Sequence, residues 1–103
     1  MDRAQFYKEV YSIIKEIPYG NVSTYGKIAQ LIGKPQCSRM VGQALSHAPE
    51  EQHLPCHRVV NSQGRLVPGW QKQKELLEKE GITFKPNGCV NMPKHLWDTT
   101  GSL

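Results

Sequence analysis

Apolar residues recur at helical spacing through the first part of the chain: Phe6, Val10, Ile13, Ile14 and Ile17, with polar and charged residues between them. A period of three to four residues puts them on one face, so residues 2 to 16 read as an amphipathic helix, capped by Asp2 and stopped by Pro18. This stripe is core and carries no chemistry. Pro18-Tyr19-Gly20-Asn21 is a turn by composition, and Val22-Ser23 a brief extended link. Thr24 then caps a second, short helix over Tyr25 to Ile32, with Ile28, Ala29 and Ile32 facing inward.

Gly33-Lys34-Pro35 gives a tight turn before a third helix, from Gln36 or Cys37 to Ser46. Two short helices joined by a glycine-containing turn have the form of a helix-turn-helix. The third helix has Met40, Val41 and Leu45 as core candidates, whereas Ser38, Gly42, Gln43, Ala44 and Ser46 are small or neutral polar. A face of that kind allows close approach to a nucleic acid.

Beyond an acidic loop from Ala48 to His53, the patterning shortens to strand length. Val59-Val60 reads as a buried strand, Asn61-Ser62-Gln63-Gly64 as a hairpin turn with Arg65-Leu66-Val67 returning, and Pro68-Gly69-Trp70 as a rigid bend. Gln71 to Glu80 forms a fourth helix with Leu76 and Leu77 inward, ended by Gly81. Residues Ile82 to Val90 make a second hairpin turning at Asn87-Gly88; Leu96 and Trp97 pin the tail, and Thr99 to Leu103 fray. The predicted fold is mostly α with short β-hairpins.

Composition alters this picture little. A chain of 103 residues is one domain, residues 1–103, with a single modest core. Thirteen Lys and Arg against nine Asp and Glu give a net charge of +4, which mildly favours a polyanionic partner. Three cysteines form no CxxC pair and no zinc-like spacing with the histidines, so neither a disulfide framework nor a metal site is indicated. That usage fits a reducing, intracellular, cytoplasmic setting, and no segment has the length of a membrane span.

The candidate chemistry lies in Leu54-Pro55-Cys56-His57-Arg58-Val59-Val60, where a thiol, an imidazole and a guanidinium are consecutive. Pro55 restricts the backbone entering Cys56, as a nucleophile requires. Cys56 is either a reactive thiolate beside His and Arg or an inert buried residue. Trp70 is a core anchor or a pocket wall; its place in a surface bend favours the wall.

Five ordered segments, Ile17-Pro18-Tyr19-Gly20, Val22-Ser23-Thr24-Tyr25, Ser38-Arg39-Met40-Val41-Gly42, Pro55-Cys56-His57-Arg58-Val59-Val60 and Leu76-Leu77-Glu78-Lys79-Glu80-Gly81, resemble the carboxy-terminal domain of the O6-alkylguanine-DNA alkyltransferases and their relatives, the alkyltransferase-like proteins. The resemblance spans about residues 6 to 82 and implies a winged helix-turn-helix that binds the minor groove of double-stranded DNA and turns O6-alkylguanine out of the stack. It implies Cys56 as alkyl acceptor, His57 as its base through a water, and Glu80 as the carboxylate that orients the imidazole, with no cofactor or metal. Transfer to a saturated carbon needs a thiolate, so a lowered Cys56 pKa is expected.

The resemblance further assigns Tyr25 to rotation of the nucleotide and Arg39 to the space the base leaves. Read without it, Tyr25 is a helix-terminal packing residue, and Arg39 a phosphate contact or solvated charge. Thr24, Ser38, Gly42 and Gln43 complete the expected DNA contacts, and Pro55, Tyr25, Trp70 and Val59 the lesion pocket. Gly42 serves either close approach to DNA or helix packing, and Arg58 braces the local loop.

Three departures stand out: there is no separate amino-terminal domain, His47-Ala48-Pro49 replaces the family's hinge asparagine, and Val67-Pro68-Gly69-Trp70 replaces a longer glycine-rich pocket loop. The retained thiol, His and Glu favour single-turnover alkyl transfer by a monomer. The alternative is an alkyltransferase-like binder that flags the lesion for excision-repair proteins, and a third reading is a winged-helix regulator with Cys56 in its core.

Overall fold

The computed structural model describes residues 2–99, and the expected fraying of the last four residues lies outside them. Helix α1 spans Arg3–Glu16, with the Asp2 carboxylate accepting from the Ala4 amide at 3.0 Å. Ile17 is extended, as a residue before proline prefers. Strand β1 (Ser23–Thr24) runs into helix α2 (Tyr25–Ile32), whose first turn is closed by the Thr24 hydroxyl accepting from the Lys27 amide at 3.0 Å. A 3-10 turn over Pro35–Cys37 leads to helix α3 (Ser38–Ser46), completing the helix-turn-helix. After a 3-10 turn at Cys56–Arg58 come strand β2 (Val59–Val60), helix α4 (Lys72–Lys79) and a helical turn α5 (Met92–His95) that the patterning did not predict.

The two strands pair in parallel, Ser23 with Val59 and Thr24 with Val60. Two-residue hairpins cannot make such a pair; it needs a long crossover, supplied here by α2 and α3. The predicted turn at Asn61–Gly64 forms, with the Asn61 side chain accepting from the Gln63 and Arg65 amides. Its return arm does not become a strand. The Gly64 carbonyl accepts from the Val90 amide at 2.9 Å instead, and the Val67 amide is taken by Gln73 at 2.8 Å. Gly64 itself has φ +87°, and a Cβ there would lie 2.7 Å from the Val90 carbonyl oxygen, so only glycine fits. The second hairpin is present as an antiparallel bridge between Phe84 and Val90.

Two buried clusters flank the short sheet. Phe6, Val10, Ile14 and Ile17 of the first segment pack with Ile28, Ala29, Cys37, Val41, Ala44 and Val59, while Val22, Val60, Leu77, Ile82 and Val90 form the second. Adjacent residues of β2 face opposite ways. Val59 therefore enters one cluster and Val60 the other, which clamps the end of the Cys56 turn between them. On α3 the expected core shifts: Ala44 is fully buried, whereas Met40 and Leu45 are only partly so. Ala44 faces α1, packing in the cluster with Phe6, Val10 and Ile14, and its carbonyl accepts from the Tyr11 hydroxyl at 2.7 Å. At the tail Trp97 packs on the first cluster, but Leu96 is exposed and contributes its backbone bridge to Val22 instead.

Candidate functional site

The Cys56–Arg58 turn carries its three polar side chains into two different surroundings. Cys56 lines a cavity of about 450 Å³ together with Tyr25, Gly42, Leu45, Val67 and Trp70, among others. Tyr25 starts α2 and Gly42 lies in the middle of α3, so the helix-turn-helix forms one wall, the loop from Ala48 to Leu54 a second, the cysteine turn a third and the Val67–Trp70 bend a fourth. A shallower depression bounded by Tyr25, Ser38, Arg39 and Gly42 adjoins it. The two concavities share Tyr25 and Gly42, so the exposed face of α3 and the cavity that holds the thiol are neighbours.

His57 and Arg58 turn instead towards Glu80, at the end of α4. His57 Nε2 lies 2.7 Å from Glu80 Oε2; Arg58 donates to the same carboxylate from Nε at 3.0 Å and from its second terminal nitrogen at 2.9 Å. The Gly20 amide adds a fourth donor at 2.8 Å. Arg58 also donates to the Ile17 carbonyl at 2.9 Å and packs over the Tyr19 ring. It thus braces the loop, as the sequence suggested. Burial alone would raise the Glu80 carboxyl, but Arg58, Gly20 and His57 reverse this and hold it below the ordinary value of 4.5. Glu80 is therefore an ionised acceptor, and His57 donates to it from Nε2, which leaves Nδ1 as the ring nitrogen not bound to the carboxylate.

The same arrangement overturns the expected thiolate. Burial pushes the Cys56 thiol above its ordinary 9.0, and its backbone hydrogen bond offsets this only in part. The His57 and Arg58 side chains next to it in sequence are committed to Glu80, and neither lowers it.

Two further expectations change. Val59 is 1 % exposed and belongs to the core, because the strand period turns it away from the cavity. Pro55 shapes the entry to Cys56 and is not part of the cavity wall. Trp70 is on the wall, as expected. Thr24 is half-buried and its hydroxyl is engaged in capping; Gln43 is exposed. A Cβ at Gly42 would meet Tyr25 Cε1 at an ordinary 3.9 Å, so packing against α2 does not require glycine there. In the segment lacking the hinge asparagine, His47 Nδ1 donates to the Gln43 carbonyl at 2.8 Å and closes the end of α3.

The residue missed from the sequence is Gln73. It is fully buried; its amide nitrogen donates to the His57 and Val59 carbonyls, both at 3.1 Å, and its oxygen accepts from the Val67 amide at 2.8 Å. A polar residue four positions before the buried Leu77, on the inward face of α4, was the available signal.

Comparison with known proteins agrees with this geometry. A family model described as 6-O-methylguanine DNA methyltransferase, DNA binding domain, matches residues 5–82. Alkyltransferase-like protein 1 of Schizosaccharomyces pombe is 43% identical over 102 residues, covering 90% of this chain and 94% of that protein. The DNA base-flipping protein of Escherichia coli is 38% identical over 96 residues, 90% of this chain and 74% of that one. A methylated-DNA–protein-cysteine methyltransferase of Methanosarcina acetivorans is 44% identical over 80 residues, and there the match spans about half (51%) of the relative. Among solved structures, that of the S. pombe protein in complex with damaged DNA containing O6-carboxymethylguanine superposes with a TM-score of 0.84 at 42% identity, covering 95% of this chain and 99% of that chain.

Proposed function

Because this chain belongs to the 6-O-methylguanine DNA methyltransferase family, we propose that it binds duplex DNA through α3, turns an O6-alkylated guanine out of the stack and holds it in the cavity between Tyr25, Cys56 and Trp70. The observation that carries this reading is the Arg39 depression lying next to a cavity of about 450 Å³ lined by Cys56, with Tyr25 and Gly42 common to both. Pockets of about 300–1,000 Å³ suit small organic ligands, and a single alkylated base is one. Extruding a base costs a few kcal/mol, so a side chain that occupies the gap is needed; Arg39 is exposed at the second residue of α3, beside Tyr25, where it can serve. The apolar character of Trp70, Leu45 and Val67 suits the faces and alkyl group of such a base.

The thiol decides between two outcomes after capture. A protonated Cys56 favours binding without reaction, the lesion then being left for other repair proteins, as the resemblance to the alkyltransferase-like proteins implies. The second reading, alkyl transfer, is favoured by the His57–Glu80 pair, which is built to accept a proton at Nδ1. In that step the Cys56 sulfur bonds the alkyl carbon, the carbon–O6 bond breaks, the thiol proton passes to His57 through water, and guanine leaves with the electron pair. Intact-protein and peptide mass spectrometry after incubation with a duplex carrying one O6-methylguanine separates them. Unmodified protein that still forms the complex supports capture alone; one methyl on the Cys56 peptide supports transfer. A fluorescent base opposite the lesion should brighten on binding wild-type protein, and no brightening by a bound complex would contradict base extrusion.

A further inference from the structure

Gln73 joins two walls of the cavity, the Cys56 turn and the Val67–Trp70 bend. Through its side chain it reaches His57 and Val59, on either side of the Cys56 turn's end, and Val67 on the facing bend. Its own backbone amide donates to the Trp70 carbonyl at 3.2 Å, a second link to that bend. The amide orientation is dictated by its partners: two carbonyls require the nitrogen and one N–H requires the oxygen, so the flipped form would lose all three side-chain bonds. All the donors and one acceptor site of a fully buried amide are thereby used, and every partner is backbone, which cannot swing aside as a side chain would.

Resting on the lesion-binding reading above, we propose that Gln73 is a positioning residue that fixes the gap between the Cys56 wall and the Val67–Trp70 wall, and thereby sets which size of O6 substituent the cavity admits. No part of Gln73 needs to touch the substrate. Gln73 supplies this cross-link from α4. Loss of its bonds removes the Gln73 partner from the buried Val59 carbonyl and from the partly buried His57 carbonyl and Val67 amide, and frees the bend to move relative to the thiol.

The test compares wild type with Gln73→Met, which keeps length and approximate volume but removes the hydrogen bonds. Affinities are measured for three duplexes of one sequence carrying guanine, O6-methylguanine or O6-benzylguanine at a single site. The expected result is a change of about tenfold, roughly 1.4 kcal/mol, in the methyl-to-benzyl affinity ratio, with binding to undamaged duplex unchanged. A purely structural role would lower all three affinities in step with the folded fraction. An unchanged ratio in folded Gln73→Met, while wild type discriminates lesions, overturns the Gln73 assignment alone. Equal wild-type affinity for all three duplexes overturns the lesion-binding reading and this proposal with it.

Should Gln73→Met not fold, Gln73→Glu retains the acceptor for Val67 and opposes the two carbonyls, and the same ratio is read. In wild type, the Gln73 side-chain amide protons should resist solvent exchange by NMR. Exchange as fast as that of an exposed glutamine would contradict the clamp.

Discussion

His57 Nε2 and Glu80 Oε2 meet at 2.7 Å across 23 residues of chain, yet the carboxylate is shared with Arg58 and the Gly20 amide. Sharing changes what the pair does. A carboxylate given to one imidazole strengthens it as a base, whereas one held by a guanidinium as well is already neutralised. Glu80 therefore ties the Cys56 turn, the Gly20 loop and the end of α4 together while it orients His57.

Replacing Glu80 by Gln keeps the shape and removes the charge. With its side chain only 5% exposed and that of Arg58 16% exposed, the loss should be roughly 2–3 kcal/mol in urea unfolding at neutral pH. The lowered carboxyl pKa sets the sign of the pH effect. The unfolded chain binds the proton first, so this contribution is complete above the ordinary 4.5 and lost as pH falls through the lower folded value. Acid unfolding should thus be less steep in Glu80→Gln; identical slopes would contradict the ion pair.

His95 gives a second pH effect, at a different place. Its Nε2 accepts from the Thr83 amide at 2.9 Å, which only the neutral ring permits, and burial followed by Lys94 lowers its pKa from 6.5. Stability from His95 is complete above 6.5 and falls as pH drops towards the folded value. Melting temperature should therefore decline on acidification from pH 7 in wild type more steeply than in His95→Gln. Parallel profiles would remove His95 from the account.

The raised Cys56 pKa predicts slow modification by iodoacetamide at neutral pH, with the rate on the Cys56 peptide still climbing above the ordinary 9.0. A rate that levels off well below that value would reveal a stabilised thiolate and favour alkyl transfer.

Arg39 is exposed, and Ala at that position should change folding stability by less than about 0.5 kcal/mol. Its lesion affinity should nevertheless fall by about tenfold, roughly 1.4 kcal/mol. Tyr25→Phe should also weaken lesion binding more than folding. Undiminished lesion binding by folded Arg39→Ala would contradict the gap-filling role.

What could be read from the sequence was mostly local. The Asp2 and Thr24 caps, the stop at Pro18 and the turns at Asn61 and Asn87 depend on neighbours within a few residues, and each is present. The features that were not legible join distant segments. Parallel pairing of Ser23 with Val59 depends on how α2 and α3 fold back, burial of Ala44 depends on how α1 packs on α3, and the use of Gln73 depends on where two carbonyls and one amide of distant segments come to rest. Cys56 shows the same limit within the site. The adjacency of His57 and Arg58 left a reactive and an inert Cys56 both open and the resemblance implied a thiolate, but Glu80, which is remote in sequence, takes both neighbouring side chains.

The central claim is that the cavity beside α3 receives an O6-alkylated guanine. The most direct measurement is a competition titration, at one fixed salt concentration, between otherwise identical duplexes carrying O6-methylguanine or guanine at a single position. The account predicts that the lesion duplex binds at least about tenfold more tightly, a difference of roughly 1.4 kcal/mol. Equal affinity of the folded protein for both duplexes would contradict it.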